Sequence, residues 1–97
     1  MVEMGSSAFA KRAEENRQKG EAALKGGFFS NLTKSKEMRM DEAKEFFQQA
    51  ANCYKHCQNN RAAMEMYLRC AECEPDEGFK ANHLRDAAII VKNTDSD

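Results

Sequence analysis

Cys53, Cys57, Cys70 and Cys73, together with His56 and His83, are the side chains best suited to chemistry in this sequence. Pairs of cysteines on facing helices, with His56 nearby, could assemble a tetrahedral zinc site. The competing role is packing, because free cysteine is among the most buried small apolar residues. All four thiols fall within apolar stripes, so core packing is the expectation, with no metal and no other cofactor. Cys70-x-x-Cys73 lies inside a helical pattern rather than at a helix N-terminus, where the dipole would lower a thiol pKa; a redox pair is therefore disfavoured. Neither histidine stands in a catalytic order with a nucleophile and a carboxylate. No Gly-rich phosphate loop, H-E-x-x-H or EF-hand pattern occurs. The sequence does not read as that of an enzyme.

A second kind of chemistry is suggested by Gly26-Gly27-Phe28-Phe29-Ser30-Asn31-Leu32. Two phenylalanines beside two glycines make a poor helix and show no strand alternation. Lys25, Lys34, Lys36 and Arg39 surround them, against the single acid Glu37. An apolar tip with a basic collar is suited to an anionic membrane surface, rings in the interface and cations on headgroups. The alternative is a loop that folds its rings under a neighbouring helix, as buried aromatics commonly do. The loop alone leaves both open; it is delimited here as residues 26–38.

The elements that position these groups are helical. Ninety-seven residues allow one small domain, residues 1–97, with a modest core. Charged residues make up 32% of the chain and nearly cancel at a net charge of -1, so no global field favours nucleic acid. No apolar run approaches the roughly 20 residues of a membrane span. The first residues lack a basic and then apolar leader pattern, which suggests a cytoplasmic setting. With one proline and abundant Ala, Glu, Lys, Met and Gln, the chain reads as all-α.

Four helices are predicted: about Ser7–Lys25, Arg39–Gln58, Arg61–Glu74 and Glu77–Lys92. Gly26-Gly27 ends the first, Asn59-Asn60 separates the second from the third, and Pro75-Asp76 opens the fourth. The first has a thin apolar face (Phe9, Ala13, Ala22, Ala23, Leu24) weakened by Gly20. The second carries Phe46, Phe47, Ala50, Ala51, Cys53, Tyr54 and Cys57; the third Ala63, Met66, Tyr67, Cys70, Ala71 and Cys73. The fourth offers Phe79, Leu84, Ala87, Ala88, Ile90 and Val91 for burial. Glu14, Glu15, Arg17 and Lys19 read as a solvated face with local pairing. Ala43, Glu45, Phe47 and Ala51 recur twenty residues on as Ala63, Glu65, Tyr67 and Ala71. Small residues alternating with one ring let antiparallel helices approach closely, as in tetratricopeptide-like hairpins stacked into a solenoid. Such stacks usually need about three repeats, so the chain reads as the first part of a longer solenoid.

These residues resemble the N-terminal region of the soluble NSF attachment proteins. The resemblance rests on Phe28-Phe29-Ser30-x-Leu32, Asp41-Glu42-Ala43, Gln49-Ala50-Ala51-Asn52-x-Tyr54-Lys55, Ala62-Ala63 and Ala71-Glu72. It continues through His83-x-x-Asp86-Ala87-Ala88 to Lys92 and covers roughly residues 21–95. What it implies is an adaptor peripheral on the cytosolic face of membranes. Such an adaptor binds a SNARE four-helix bundle and supports its disassembly by the ATPase NSF in vesicle transport, including ER–Golgi transport. Phe28, Phe29, Leu32, Lys34 and Lys36 would then meet the membrane, with Thr33 standing where the family's second apolar pair ends. Lys55, Gln58 and Lys92 would meet the SNARE bundle, Gln58 standing where a second lysine is common. NSF is contacted through C-terminal regions of the family. Without the resemblance, the residues also suit a generic helical scaffold that binds a peptide or partner helix.

Overall fold

The helix boundaries follow from local capping chemistry. A computed structural model describes residues 2–26 and 34–95, with side chains for 7–26 and 34–92. The described residues form α1 (Val2–Lys25), α2 (Lys36–His56), α3 (Asn60–Cys73) and α4 (Glu77–Asp95). Gly26 closes α1 at φ 65°, where only a glycine is unstrained, and its N–H donates to the Ala22 carbonyl at 3.0 Å. Ser35 opens α2, its Oγ accepting from the Met38 N–H at 3.2 Å. The expected loop at 26–38 is therefore shorter: residues 36–38 are the first turn of α2, three residues before the predicted start. Asn59 caps α3 by accepting from the Ala62 N–H at 3.3 Å. Asp76 accepts from the Phe79 N–H at 3.0 Å and opens α4.

Short connections turn successive helices antiparallel, and each packs on the next: α1 on α2, α2 on α3, α3 on α4. Phe9 stacks on His56 with ring centroids 4.7 Å apart at one end of the α1–α2 pair. Lys55 lies over Tyr67 at one end of the α2–α3 pair, and Lys44 meets Glu74 at the other. The result is the expected all-α stack of helical hairpins, a slab of 46 × 33 × 13 Å.

The core is built from small residues around a few large ones. Ala43, Phe47, Ala50, Ala51 and Tyr54 of α2 meet Ala63, Met66, Tyr67, Cys70 and Cys73 of α3, with Ala13, Ala87 and Ile90 from the flanking helices. Both halves of the twenty-residue repeat are buried, ring and alanines alike. Gly20 corrects the sequence reading. It does not merely weaken α1: a Cβ there would stand 2.7–2.9 Å from the Phe47 ring carbons, so its absence permits close approach. α4 differs too. Of the six residues offered for burial only Ala87 and Ile90 are buried, while Phe79 (60%) and Leu84 (46%) are among the most exposed large apolar side chains described. Among the described residues α4 packs mainly against α3, and Phe79, Leu84, Ile89 and Val91 are left exposed.

Candidate functional site

The predicted site residues sort to two ends of the slab. Because α2 runs away from the 26–35 connection, its first turn marks one end and its last turn the other. It has 21 residues, about 30 Å at 1.5 Å per residue. At the near end Lys36 is exposed in the first turn of α2. Lys34 is half-buried and ion-paired with Glu42, one turn further into α2. Lys34, one of the four collar cations, is thus already engaged within the chain. Phe28, Phe29 and Leu32 lie outside the described residues.

At the far end, Lys55 is exposed near the close of α2, its Nζ 5.4 Å from the Tyr67 ring centre. That cation–π contact, worth roughly 0.5–1 kcal/mol at an exposed site, orients the ammonium across the α2–α3 seam. Gln58 is exposed in the turn at φ 63°, donating its N–H to the Lys55 carbonyl at 3.0 Å. Asn59 then donates to the Tyr54 carbonyl at 2.9 Å. The pair of bonds is a Schellman closure in which glutamine occupies the position that favours glycine. Lys92, exposed near the end of α4, lies at this same end because α4 runs antiparallel to α3. The structure therefore brings Lys55, Gln58 and Lys92 to one end and holds Lys34 and Lys36 at the other.

Two polar networks fix this arrangement, and sequence patterning pointed to neither. The Tyr54 hydroxyl donates to Glu14 at 2.8 Å, and Arg17 pairs with the same carboxylate. Glu14, hydrogen-bonded by Arg17 and by Tyr54, is held below the usual carboxylate range. Burial, and then the nearby Glu14, push Tyr54 up. The solvated face expected on α1 is thus partly an anchor to α2. Glu74, only 8% exposed, joins three elements. Lys44 of α2 donates to it at 3.0 Å, the Asp76 N–H at 3.3 Å, and His83 of α4 lies 3.4 Å away. Burial alone would push this carboxyl up; the Lys44 ammonium and the Asp76 N–H outweigh it and hold the group low. Arg69 is a third tie, pairing with Glu21 of α1 and with Glu72 while its guanidinium sits 5.1 Å above Phe47.

Cys70 and Cys73 are core residues, as expected. Burial pushes the Cys70 thiol up to about 12 and raises Cys73 as well. Both stand at the C-terminal end of α3, where the helix dipole disfavours a thiolate. Cys53 and Cys57 are half-buried against the same core. Among the described residues no three His, Cys, Asp or Glu side chains converge on a metal position. No described helix is long and apolar enough to cross a membrane.

A family model described as soluble NSF attachment protein, SNAP, matches residues 11–97. The match takes in most of α1, which the resemblance over residues 21–95 had left outside. The search of curated proteins and that of solved structures returned no match.

Proposed function

The chain belongs to the soluble NSF attachment protein family, and we propose that it serves as a membrane-fusion adaptor that holds SNARE four-helix bundles at a membrane surface. The observation that carries this reading is the family match, which spans both the Phe28-Phe29 loop and Lys55. The geometry supports it. Lys36 stands beside the loop at one end, while Lys55, Gln58 and Lys92 gather at the other, about 30 Å away along α2. An adaptor with its membrane group at one end and its cations at the other can grip an acidic bundle that stands on the bilayer. Two aromatic rings give marginal membrane binding by themselves, and cations on anionic headgroups add the second attachment. On this reading the protein is peripheral on the cytosolic face. It supports NSF-driven SNARE disassembly in vesicle transport, including ER–Golgi transport, and NSF itself is met through C-terminal family regions.

Co-sedimentation with anionic liposomes tests the membrane end. The chain pellets with the vesicles and the Phe28→Ser, Phe29→Ser double variant of equal helicity stays in solution. Equal pelleting of both would assign the attachment to charge alone, and no pelleting of either would remove the membrane end from the proposal. Pull-down with an assembled SNARE bundle tests the other end. There Lys55→Glu lowers the bound fraction while liposome binding is unchanged.

A further inference from the structure

Helical phase divides α4 into a core side and a solvent side. Ala87 and Ile90 face the core. At about 100° per residue, Ala81, Arg85, Ala88 and Lys92 fall within an arc of about 60° nearly opposite them. All four are exposed. The stripe alternates a small residue with a cation. Its two cations are seven residues apart in sequence, which sets them about 10 Å apart along the helix axis on one face.

Both cations keep their charge available. The Arg85 guanidinium donates to the Asn82 side-chain oxygen at 2.8 Å, a neutral partner that orients it and leaves its charge uncompensated. Among the described residues no carboxylate pairs with Arg85 or Lys92. The acids of α4 stand apart from the stripe's cations: Asp86 is half-buried and turned about 100° from Arg85, and Glu77 lies about two turns before it. Lys34, Lys44 and Arg69, by contrast, are each paired with a carboxylate.

We propose that Arg85 is a further specificity-determining contact for the SNARE bundle, and that the stripe of Ala81, Arg85, Ala88 and Lys92 receives one acidic helix of the bundle lying along α4. The contact presupposes the adaptor reading and extends its cationic end from Lys92 two turns back along α4. Charge and spacing select this occupant. Two acidic side chains seven residues apart on a helix match the two cations in sign and in separation. Ala81 and Ala88 take away the bulk beside the cations, so that two helix axes can approach to about 8–10 Å. A lipid headgroup or free phosphate meets one cation at a time, and a second copy of α4 sets cation against cation. Arginine also discriminates: its planar fork, held by Asn82, takes a carboxylate through two N–H groups.

The test titrates the whole chain against an assembled SNARE bundle. Arg85→Ala lowers affinity about threefold and Arg85→Glu about tenfold, with helicity and melting temperature unchanged. Ala88→Trp, neutral but bulky, lowers it about fivefold by holding the helix off the stripe. Lys11→Glu makes the same change in net charge at an exposed position of α1, on the other side of the stack, and leaves affinity at the parent level. Equal losses from Lys11→Glu and Arg85→Glu would reduce the effect to net charge and overturn the contact. Parent-level binding of Arg85→Glu or of Ala88→Trp, while Lys55→Glu still weakens the complex, overturns it too and leaves the adaptor reading standing. Liposome pelleting is the same for parent and Arg85→Glu; its loss in the variant would give the stripe to lipid headgroups instead. A parent chain that does not bind the bundle removes the adaptor reading and this contact together, so the two failures are distinct.

Discussion

At the residue scale, Gly20 and Glu74 show opposite ways in which one position can matter. Alanine at Gly20 gains about 1 kcal/mol of helix propensity, yet its Cβ meets the Phe47 ring at 2.7–2.9 Å. That ring is fully buried, with the Arg69 guanidinium 5.1 Å from its centre, so it has little room to retreat. Gly20→Ala should therefore lose about 1–2 kcal/mol net in urea unfolding, within the usual cost of overpacking. Phe47→Leu in the same chain should lessen that loss, and a double-mutant cycle reads the coupling. Glu74 acts through charge. Its folded pKa lies below the ordinary carboxylate value of roughly 4.3, so its contribution is fully present above that value. The contribution drains away as the pH falls through the lower folded value. Glu74→Gln should cost about 1–3 kcal/mol at pH 7, because Lys44 loses its best acceptor. The gap between parent and variant should then close as unfolding is repeated below pH 4. A gap constant with pH would mean that the carboxylate's charge contributes nothing.

At the element scale the α2–α3 turn is the most exacting piece of backbone. Gln58 holds φ 63°, a conformation costing an L-residue roughly 1 kcal/mol or more, while Asn59 closes α2 through its N–H and opens α3 through its side chain. Gln58→Gly should raise stability by about 0.5–1 kcal/mol, and Asn59→Ala should lower it by about 1 kcal/mol. The first variant also separates two roles of Gln58. If its side chain meets the SNARE bundle, binding falls while the melting temperature rises. Much at this scale was legible in the sequence. The alternation of Ala43, Phe47 and Ala51 with Ala63, Tyr67 and Ala71 located the core, and Asn59 located the turn. Ser35 is not marked as a cap by the hydrophobic pattern, because the apolar stripe of α2 begins only at Met40, a full turn after the helix itself. Gly20 lies in the stripe of Phe9, Ala13 and Leu24, a phase that marks it as inward. Its purpose, however, depends on a ring 27 positions away in the sequence. The Glu74 network draws its partners from α2, from the α3–α4 connection and from α4, and no local pattern holds that information.

At the scale of the whole molecule, a slab 13 Å thick has little interior, and alanines occupy much of it. Alanine contacts let the helices approach but add little apolar area each, so stability rests on a few large side chains: Phe47, Tyr54, Met66, Tyr67 and Ile90. α4 makes the contrast measurable within one helix. Periodicity gave the width of its apolar face correctly but could not show which part a neighbour covers. Ile90 lies against the core, whereas Leu84 is 46% exposed and Phe79 60% exposed. Ile90→Ala should cost about 2–4 kcal/mol, the range for a buried aliphatic truncated in a core that cannot collapse around it. Leu84→Ser and Phe79→Ser should change stability by no more than about 0.5 kcal/mol, as surface substitutions do. Urea unfolding with a shared slope reads the three together, because a constant slope means that the same surface is exposed in each variant. A large loss from Leu84→Ser would show that its side of α4 is covered in solution. The same titration repeated at tenfold lower protein concentration would then separate cover by a second copy, which weakens on dilution, from cover within one chain, which does not.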